Sequence, residues 1–450
     1  MGKVFGTDGI RGRANAPPMT PETCMRVGKA VALYFSKKNA RRGHRIVIGK
    51  DTRLSGYMIE SALTAGIISM GVDVLLVGPM PTPAISHLTK SLNCDAGIVI
   101  SASHNPAQDN GIKIFGTEGY KLGERAESRI EELLLSEETG PGSGGKKLGK
   151  AFRVKDARGR YIEFTKQSVS SAPLTGLKIV LDCANGSAYS IAPSVFSELG
   201  AETVVLNDKP DGLNINLDCG ALHPEVIQRA VLEHKADFGV ALDGDADRLI
   251  VCDECGEIVD GDQLLAIFAK NLLSQGRLKN KKIIATQMSN VGLDIAMNAL
   301  GVKVERVKVG DKFVMEAMRR NSAVLGGEQS GHIIFKEYSA TGDGIISALQ
   351  LARILKESGR NLSELAGIAE SVPQVLVNVR VSEKKPFGKM RAVREKISAA
   401  EKGLGKQGRV LVRYSGTENL ARVMVEGRNA EKTKGFAEEI AAEIKKEVGE

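Results

Sequence analysis

Short aliphatic runs alternate with longer helical patterns along most of the chain, and this alternation predicts a fold of the α/β class. The aliphatic runs include residues 45–49 (RIVIG), 72–77 (VDVLLV), 96–100 (AGIVI), 178–182 (KIVLD), 238–242 (FGVAL) and 282–286 (KIIAT). Helical patterns lie between them, for example at residues 21–37, 60–70 and 262–273. Near-continuous aliphatic runs are typical of strands that are buried on both faces between helices.

Polar loops follow several of these predicted strands, at residues 49–53, 101–106, 182–186 and 243–248. Ligands in open α/β sheets bind beyond the carboxyl ends of the strands, so we expect a functional site there. The last 80 or so residues change character. Every second residue of 375–381 (VLVNVRV) is Val, as in a half-exposed antiparallel strand. Helical patterns follow it, and we therefore expect a C-terminal α+β domain.

The charge of the chain favours an anionic partner. The formal net charge is +8, with an isoelectric point of about 9.0. Aromatic residues make up only 4% of the chain and its basic runs are short and scattered, which argues against nucleic acid. A small phosphorylated ligand fits this composition better.

Cysteine usage and hydropathy indicate a cytoplasmic protein. The six cysteines are scattered, unlike a disulfide framework. The lone CxxC at residues 252–255 lacks a second ligand pair for zinc, and we interpret it as a strand end and turn. No secretory signal is visible at residues 1–5, and no apolar stretch approaches the roughly 18 residues of a membrane span.

The segment at residues 243–248 carries three carboxylates, Asp243, Asp245 and Asp247, followed at once by Arg248. In an extended segment this spacing of two places all three on one side, where they repel unless a cation lies among them. A hard divalent ion is therefore expected. An EF-hand is disfavoured because its sixth position needs Gly and an apolar run follows here. A solvated acidic turn is the simpler alternative.

A second unusual segment, residues 101–106 (SASHNP), places a serine on a bend before Asn-Pro. Ser103, beside His104, is a better nucleophile candidate than Ser101. No G-x-S-x-G elbow surrounds it, which argues against a Ser-His-Asp hydrolase. A hydroxyl nucleophile together with a carboxylate-bound metal indicates phosphoryl chemistry. Lys113, a few residues further along the chain, could place a positive charge near the serine.

Three glycine-containing loops complete the set of candidates. Residues 326–332 bracket Glu328 and Ser330 with glycines, which suits recognition of hydroxyls or an amine. Residues 413–418 with Arg422 could form a phosphate cradle, although a surface loop explains them equally well. Residues 6–12 carry Arg11 but lack the P-loop spacing.

These motifs, in this order, resemble the α-D-phosphohexomutase family over nearly the whole chain. The S-A-S-H-N-P pattern implies that Ser103 is the phosphorylated serine. The D-G-D-x-D-R pattern implies a magnesium site whose ligands are Ser103, Asp243, Asp245 and Asp247. The resemblance implies catalytic roles for Ser103, Arg11, His104, Lys113 and Arg248. We expect Lys113 to be a general acid/base, which requires neighbouring cations to lower its pKa.

The same resemblance implies a substrate site and a domain plan. Substrate-binding residues would be Glu328, Ser330, His332, Arg413, Ser415, Gly416, Thr417, Glu418 and Arg422. The implied fold has three similar α/β domains, with mixed sheets sandwiched by helices, plus a C-terminal α+β domain around a central active-site cleft. The expected domains span residues 1–150 (phosphoserine loop), 151–252 (metal loop), 253–368 (sugar loop) and 369–450 (phosphate loop). The glycine-rich stretch 137–150 would be a connection.

The activity that the resemblance implies is intramolecular phosphoryl transfer on a hexose phosphate. Residues 5–12 (FGTDGIRG) and Gln329 resemble the glucosamine branch, which interconverts glucosamine 6-phosphate and glucosamine 1-phosphate and feeds UDP-N-acetylglucosamine synthesis. Asn419 and the pair Ala107-Gln108 depart from the family pattern and leave mannose or glucose phosphates open. A phosphatase and a non-catalytic sugar-phosphate-binding protein are further alternatives.

The implied cofactors are one Mg²⁺ per subunit and glucosamine or glucose 1,6-bisphosphate as activator. The expected partner is a small phosphosugar, without nucleic acid or membrane, and a homodimer is allowed.

Overall fold

The structure is a computed structural model, which describes residues 4–6, 8–36, 43–136, 145–415 and 419–449. The chain forms two compact units. The first comprises residues 1–287 and 305–366, and the second comprises residues 288–304 and 367–450. No helix in the described ranges is both long and apolar enough to cross a membrane.

The first sheet of the first unit has six strands in the order β1-β5-β4-β2-β3-β6. They are β1 (Ile10–Arg13), β2 (Arg45–Lys50), β3 (Asp73–Pro79), β4 (Ala96–Ile100), β5 (Asp109–Gly116) and β6 (Ala151–Arg153). The inner strands β2, β3 and β4 are parallel, whereas β5 is antiparallel to β1 and β4. The accompanying helices are α1 (Pro21–Ser36), α2 (Ser55–Ser69), α3 (Thr82–Ser91) and α4 (Glu124–Leu135). Every residue of β4 is buried, as its aliphatic run predicted.

The second sheet has five strands in the order β11-β10-β9-β7-β8. They are β7 (Lys178–Asp182), β8 (Glu202–Leu206), β9 (Phe238–Leu242), β10 (Leu249–Asp253) and β11 (Ile258–Val259), with helices α5 (Ala157–Gln167), α6 (Ala192–Glu198) and α7 (Glu225–His234). Strand β7 is parallel to β8 and β9, and β10 returns antiparallel to β9. The acidic segment is the connection between β9 and β10.

The third sheet has the order β13-β12-β14-β15. Its strands are β12 (Lys282–Thr286), β13 (Lys303–Val307), β14 (Leu325–Gly327) and β15 (Ile333–Phe335). The helices of this region are α8 (Gly261–Ser274), α9 (Val291–Ala299), α10 (Asp311–Asn321), α11 (Gly344–Ser358) and α12 (Leu362–Ala366). Helix α9 belongs to the second unit. Helix α8 begins with a capping box, in which Asp260 and Gln263 satisfy each other's backbone N–H groups.

The second unit contains an antiparallel sheet in the order β16-β18-β17. Its strands are β16 (Gln374–Arg380), β17 (Gly408–Tyr414) and β18 (Leu420–Gly427), and its helices include α13 (Arg391–Leu404) and α14 (Ala430–Val448). The valines of β16 face the core while the residues between them are exposed, which confirms the half-exposed strand. The predicted fold class is confirmed, with three mixed α/β sheets and a C-terminal α+β part. The four domain bounds stay predictions, and residues 137–144 of the expected connection lie outside the described ranges.

A buried carboxyl at the start of α11 ties this helix to α5. Asp343 Oδ1 accepts a hydrogen bond from the Ile346 N–H at 2.9 Å, and Asp343 Oδ2 accepts one from the Tyr161 hydroxyl at 2.8 Å. Both side chains are buried. Burial raises the pKa of Asp343 to about 6, because these hydrogen bonds only partly offset the cost of its charge.

This raised pKa predicts a pH-dependent stability. Between about pH 4 and pH 6 the folded chain holds a proton on Asp343 that the unfolded chain has lost, so stability falls as the pH rises and levels off above the folded pKa. Asp343→Asn removes this dependence while keeping an acceptor for Ile346. Denaturant unfolding should show the parent losing about 3 kcal/mol relative to the variant across this interval. Parallel stability profiles of the two proteins would contradict the assignment.

Candidate active site

The serine loop connects β4 to β5 and holds Ser103 in an unusual backbone conformation. Ser103 has a φ of 54°, in the left-handed region, and only 1% of it is exposed. Its hydroxyl donates a hydrogen bond to Asp243 Oδ2 at 2.6 Å, and His104 Nδ1 lies 3.4 Å from the same Oγ. The backbone N–H of Ser103 donates to Ser101 Oγ at 2.9 Å. Ser103 therefore faces the acidic loop, whereas Ser101 supports the bend.

The three carboxylates of the β9–β10 connection converge. Asp243, Asp245 and Asp247 are all buried, and each offers a ligand atom within 4.8 Å of the others. They do not lie on an extended segment as predicted. The connection is a turn with Ala246 in the left-handed region at φ 55°, and this reversal brings the carboxylates together. The expected proximity is found, but the alternating-face argument for it was wrong.

The donor set of this cluster fits a hard divalent cation. Burial, together with the like charges of Asp245 and Asp247, raises the pKa of Asp243 to about 8. Asp245 Oδ1 is buried without a hydrogen-bond partner among the described residues. Carboxylate oxygens left in this state are costly, and oxygen ligands are those that Mg²⁺ prefers. Asp243, Asp245, Asp247 and Ser103 Oγ could therefore hold such an ion.

Lys113, on β5, lies among carboxylates. Its Nζ is 2.7 Å from Asp245 Oδ2, 3.4 Å from Asp247 Oδ2 and 3.6 Å from Asp8 Oδ2. Burial alone would lower its pKa, but these three charges outweigh burial and raise the pKa of Lys113 well above its usual value. The expectation that cations lower this pKa was wrong. Arg11 acts in that direction, but the carboxylates outweigh it, and the lysine stays protonated.

Two arginines border the serine from either side. Arg11 Nη1 lies 3.4 Å from the Ala102 carbonyl, and its guanidinium pairs with Asp8. Arg248 Nη1 lies 3.4 Å from His104 Nδ1, and its backbone N–H donates to Asp243 Oδ1 at 3.2 Å. Burial lowers the pKa of His104, and the two arginines add to this effect. His104 is therefore neutral beside the Ser103 hydroxyl.

The loop between β14 and β15 brings the predicted sugar-binding residues near this centre. Glu328 is buried and accepts a hydrogen bond from the Gly310 N–H at 3.0 Å. His332 accepts one from the Gly342 N–H at its Nε2, and its Nδ1 lies 3.7 Å from Asp247 Oδ1. Ser330 is exposed. Gln329 donates to Asp260 Oδ2 at 3.1 Å, at the start of α8.

A cleft of 660 Å³ in the first unit gathers these groups. Its lining includes Asp8, Arg11, His104, Asp247, Arg248, Glu328 and His332. It also includes Lys121, Asp311 and Lys312, which sequence reasoning missed. Lys121 Nζ bridges Asp8 Oδ1 and Asp311 Oδ2, at 2.6 Å from each. The sequence signal for these cleft residues was Gly310-Asp311-Lys312 at the start of a helix. This signal is not specific, because charged residues are common at helix starts.

The expected phosphate loop lies in the second unit. Arg413 on β17 and Arg422 on β18 are directly opposite each other in the register. Two guanidinium groups at one level of the sheet suit the binding of an anion. Ser415 is buried, and its carbonyl accepts a hydrogen bond from Lys384 Nζ at 2.8 Å. Gly416, Thr417 and Glu418 lie outside the described residues.

Four consecutive domains of one enzyme family match the chain. Phosphoglucomutase/phosphomannomutase α/β/α domains I, II and III match residues 2–140, 159–256 and 260–372, and the C-terminal domain of this family matches residues 376–443. The chain belongs to the phosphoglucomutase/phosphomannomutase family.

Relatives in this family match the chain from end to end. The phosphoglucosamine mutase of Pelobacter propionicus is 54% identical, with 100% of both chains covered. That of Myxococcus xanthus is 53% identical over 99% of this chain and 97% of its own.

Solved structures of the family share the fold. A Burkholderia thailandensis phosphoglucomutase/phosphomannomutase family protein has a TM-score of 0.82 at 25% identity, covering 99% of this chain and 97% of its own. Aspergillus fumigatus N-acetylphosphoglucosamine mutase, solved with GlcNAc-6P and magnesium, has a TM-score of 0.68 at 18% identity, covering 98% and 95%. At this lower identity the likeness shows the fold alone.

The carboxylate cluster predicts a measurable cation affinity. Asp245→Asn removes one of the charges that would bind a divalent ion, so Mn²⁺ binding measured by calorimetry should weaken by at least about tenfold. Asp237→Asn, at an exposed position before β9, is the matched control and should bind like the parent. Equal Mn²⁺ affinity in Asp245→Asn and the parent would contradict the metal site.

Proposed function

We propose that this chain is a phosphoglucosamine mutase, which interconverts glucosamine 6-phosphate and glucosamine 1-phosphate. The observation that carries the proposal is the buried Ser103 hydroxyl, 2.6 Å from a carboxylate in a cluster of three. The end-to-end identity of 54% to a phosphoglucosamine mutase supports glucosamine as the sugar. Phosphomannomutase or phosphoglucomutase activity on the same site is the second candidate, because it needs the same centre.

The reaction that these residues suit is transfer from phosphorylated Ser103 to the free hydroxyl of the sugar monophosphate. The bond between phosphorus and Ser103 Oγ breaks as a bond to the sugar oxygen forms, and the proton lost by the sugar hydroxyl is balanced by the one that Ser103 Oγ gains, giving a bisphosphate and a free serine hydroxyl. The bisphosphate turns end for end and returns its other phosphoryl group to Ser103. Mg²⁺ held by the three aspartates and an oxygen on Ser103 would supply charge neutralisation. Protonated Lys113, Arg11 and Arg248 add positive charge at the same group.

The substrate contacts follow from charge and position. Glu328 and His332 line the cleft, and the Glu328 carboxylate suits the ammonium group of glucosamine. We assign contacts with the sugar hydroxyl groups to His332 and to Ser330 of the same loop. The phosphate that is not being transferred would be bound by the second unit. We assign it to Arg413, Ser415, Gly416, Thr417, Glu418 and Arg422, the loop and strands with the required donors.

A coupled assay over several sugars tests the proposal. Glucosamine 6-phosphate, glucose 1-phosphate and mannose 1-phosphate are each supplied with the matching 1,6-bisphosphate as activator. Glucosamine phosphate should give the highest kcat/KM. A higher value for mannose or glucose phosphate would favour the second candidate. Release of inorganic phosphate without isomerisation would indicate a phosphatase, and binding without turnover a sugar-phosphate-binding protein.

Replacing the proposed nucleophile should abolish turnover. In Ser103→Ala a methyl group takes the place of the hydroxyl, so kcat should fall by several orders of magnitude and no phosphate mass should appear after incubation with bisphosphate. Ser101→Ala is the comparison, because Ser101 supports the bend from two residues away. An inactive Ser101→Ala beside an active Ser103→Ala would overturn the assignment.

Truncating the proposed distal phosphate contact should act on binding. Arg413→Ala should raise KM by a factor that corresponds to about 2–4 kcal/mol, since a bidentate contact to phosphate is lost. It should also raise the ratio of released bisphosphate to product. Arg391→Ala, at the exposed start of α13, is the control. Parental KM and parental bisphosphate release in Arg413→Ala would show that the loop is only a connection between strands.

A further inference from the structure

The backbone of the serine loop is held by two side chains to which the sequence analysis assigned no role. The Ser103 carbonyl accepts hydrogen bonds from Arg53 Nη2 and Asn216 Nδ2, both at 3.0 Å. The Asn105 carbonyl accepts from the same two groups, at 2.7 and 3.1 Å. Because one amide faces two carbonyl oxygens, it must present its nitrogen to them. Two donors from different parts of the chain thus hydrogen-bond to the same pair of carbonyls.

The Arg53 side chain hydrogen-bonds to the serine loop and to Asp51, which supports that loop. It is 0% exposed, and its Nη1 donates to the carbonyls of Pro106 and of Asp109, the latter at 3.0 Å. Its Nε and backbone N–H both donate to Asp51, at 2.8 and 3.0 Å. A buried guanidinium is costly to desolvate, so its use on main-chain oxygens indicates that the position of this loop matters.

Asp51 supports the serine loop on the N–H side of Ser103. Ser101 Oγ donates to Asp51 Oδ2 and accepts from the Ser103 N–H. Both the N–H and the carbonyl of Ser103 are therefore fixed by a network that starts at the end of β2.

Asn216 contacts the serine loop from the side of the second sheet. Its own N–H donates to the Ala184 carbonyl at 3.0 Å, in the loop after β7. The space around it is closed, since a Cβ added to Gly244 would lie 2.7 Å from the Ser103 oxygen and 2.9 Å from Asn216 Nδ2. The serine carbonyl, the asparagine amide and the acidic loop are in direct contact.

Ser103 is a non-glycine residue in the left-handed region, and such a strained conformation persists only where its surroundings determine it. The proposed cycle also changes the charge on Ser103 Oγ by roughly two units each time the phosphoryl group leaves or returns. Some part of the structure must therefore keep the Oγ in place in both states.

We propose that Arg53 and Asn216 are positioning residues that clamp the Ser103 and Asn105 carbonyls and so keep Ser103 Oγ directed at the acidic loop throughout the cycle. This inference rests on the proposed function for its catalytic consequence, but the clamp itself is a property of the structure. Asn216 also makes the orientation of the nucleophile depend on the sheet that carries the acidic loop.

The first test measures the clamp without any reaction. In Asn216→Asp a carboxylate faces two carbonyl oxygens and repels them, so amide hydrogen exchange in the peptide covering residues 101–108 should speed up by roughly tenfold. Asn214→Asp is the matched control, since its side chain bonds to Asp211 and Lys209 within its own loop. Exchange at 101–108 should stay parental in the control. Unchanged exchange in Asn216→Asp would overturn the clamp.

The second test measures transfer. Asn216→Asp should lower kcat by roughly 10- to 100-fold and leave KM within about twofold, because sugar and phosphate contacts are untouched. Arg53→Lys should have the same effect on kcat and KM. If the Arg53→Lys protein does not fold, the result for Asn216→Asp alone tests the positioning role. A purely structural role would instead spread faster exchange over β4 and β7 and reduce the folded fraction. Faster exchange at 101–108 with parental kcat would overturn the positioning role.

The two proposals fail separately. A parent that isomerises no hexose phosphate would refute the proposed function, and the exchange comparison would still decide whether Arg53 and Asn216 hold the loop.

Discussion

The burial of like charges in the acidic loop is the constraint on which the rest of the site depends. Asp243, Asp245 and Asp247 are brought within 4.8 Å of one another and removed from water. Such a cluster is tolerable only if positive charge surrounds it. Lys113 from the first sheet and Arg248 of the acidic loop supply part of that charge, and the His332 imidazole from the third sheet adds a hydrogen bond to Asp247, so three sheets contribute to one electrostatic balance. Burial alone would raise the pKa of Asp247, but these cations hold it well below its usual range.

The same balance explains why the network continues into the cleft. Asp8 pairs with Lys113, Lys121 and Arg11, and Lys121 pairs in turn with Asp311 at the start of α10. The Lys121–Asp311 pair thereby joins the first sheet's charges to helix α10 of the third sheet's region. An anionic ligand entering this cleft would meet cations whose positions are already fixed by carboxylates, which is the preorganised arrangement that favours stabilisation of a transferring phosphoryl group.

Sequence reasoning located the strands, and it selected candidate site residues that the structure brings together, because both have local signals. The aliphatic run 96–100 and the spacing of Asp243, Asp245 and Asp247 are visible in a few residues. The turn that brings the aspartates together was missed, because alanine gives no sequence signal for the left-handed conformation that Ala246 adopts. Asn216 and Lys121 were missed for another reason. Asn216 meets Ser103 across 113 positions of sequence, and only the packed sheets make that contact. The pKa of Lys113 was misjudged because its neighbours are set by tertiary structure.

The left-handed backbone of Ser103 restricts which hydroxyl amino acid can occupy that position. A β-branched side chain at positive φ is a genuine steric outlier, whereas serine has a single γ atom and tolerates the conformation better. Threonine would bring the same functional group with an added methyl, into a site that is already 99% enclosed and in a backbone region that opposes it. The two hydroxyl residues, interchangeable as phosphate acceptors in many proteins, are therefore not equivalent here. The choice between them is made by the main chain and not by the chemistry of the oxygen.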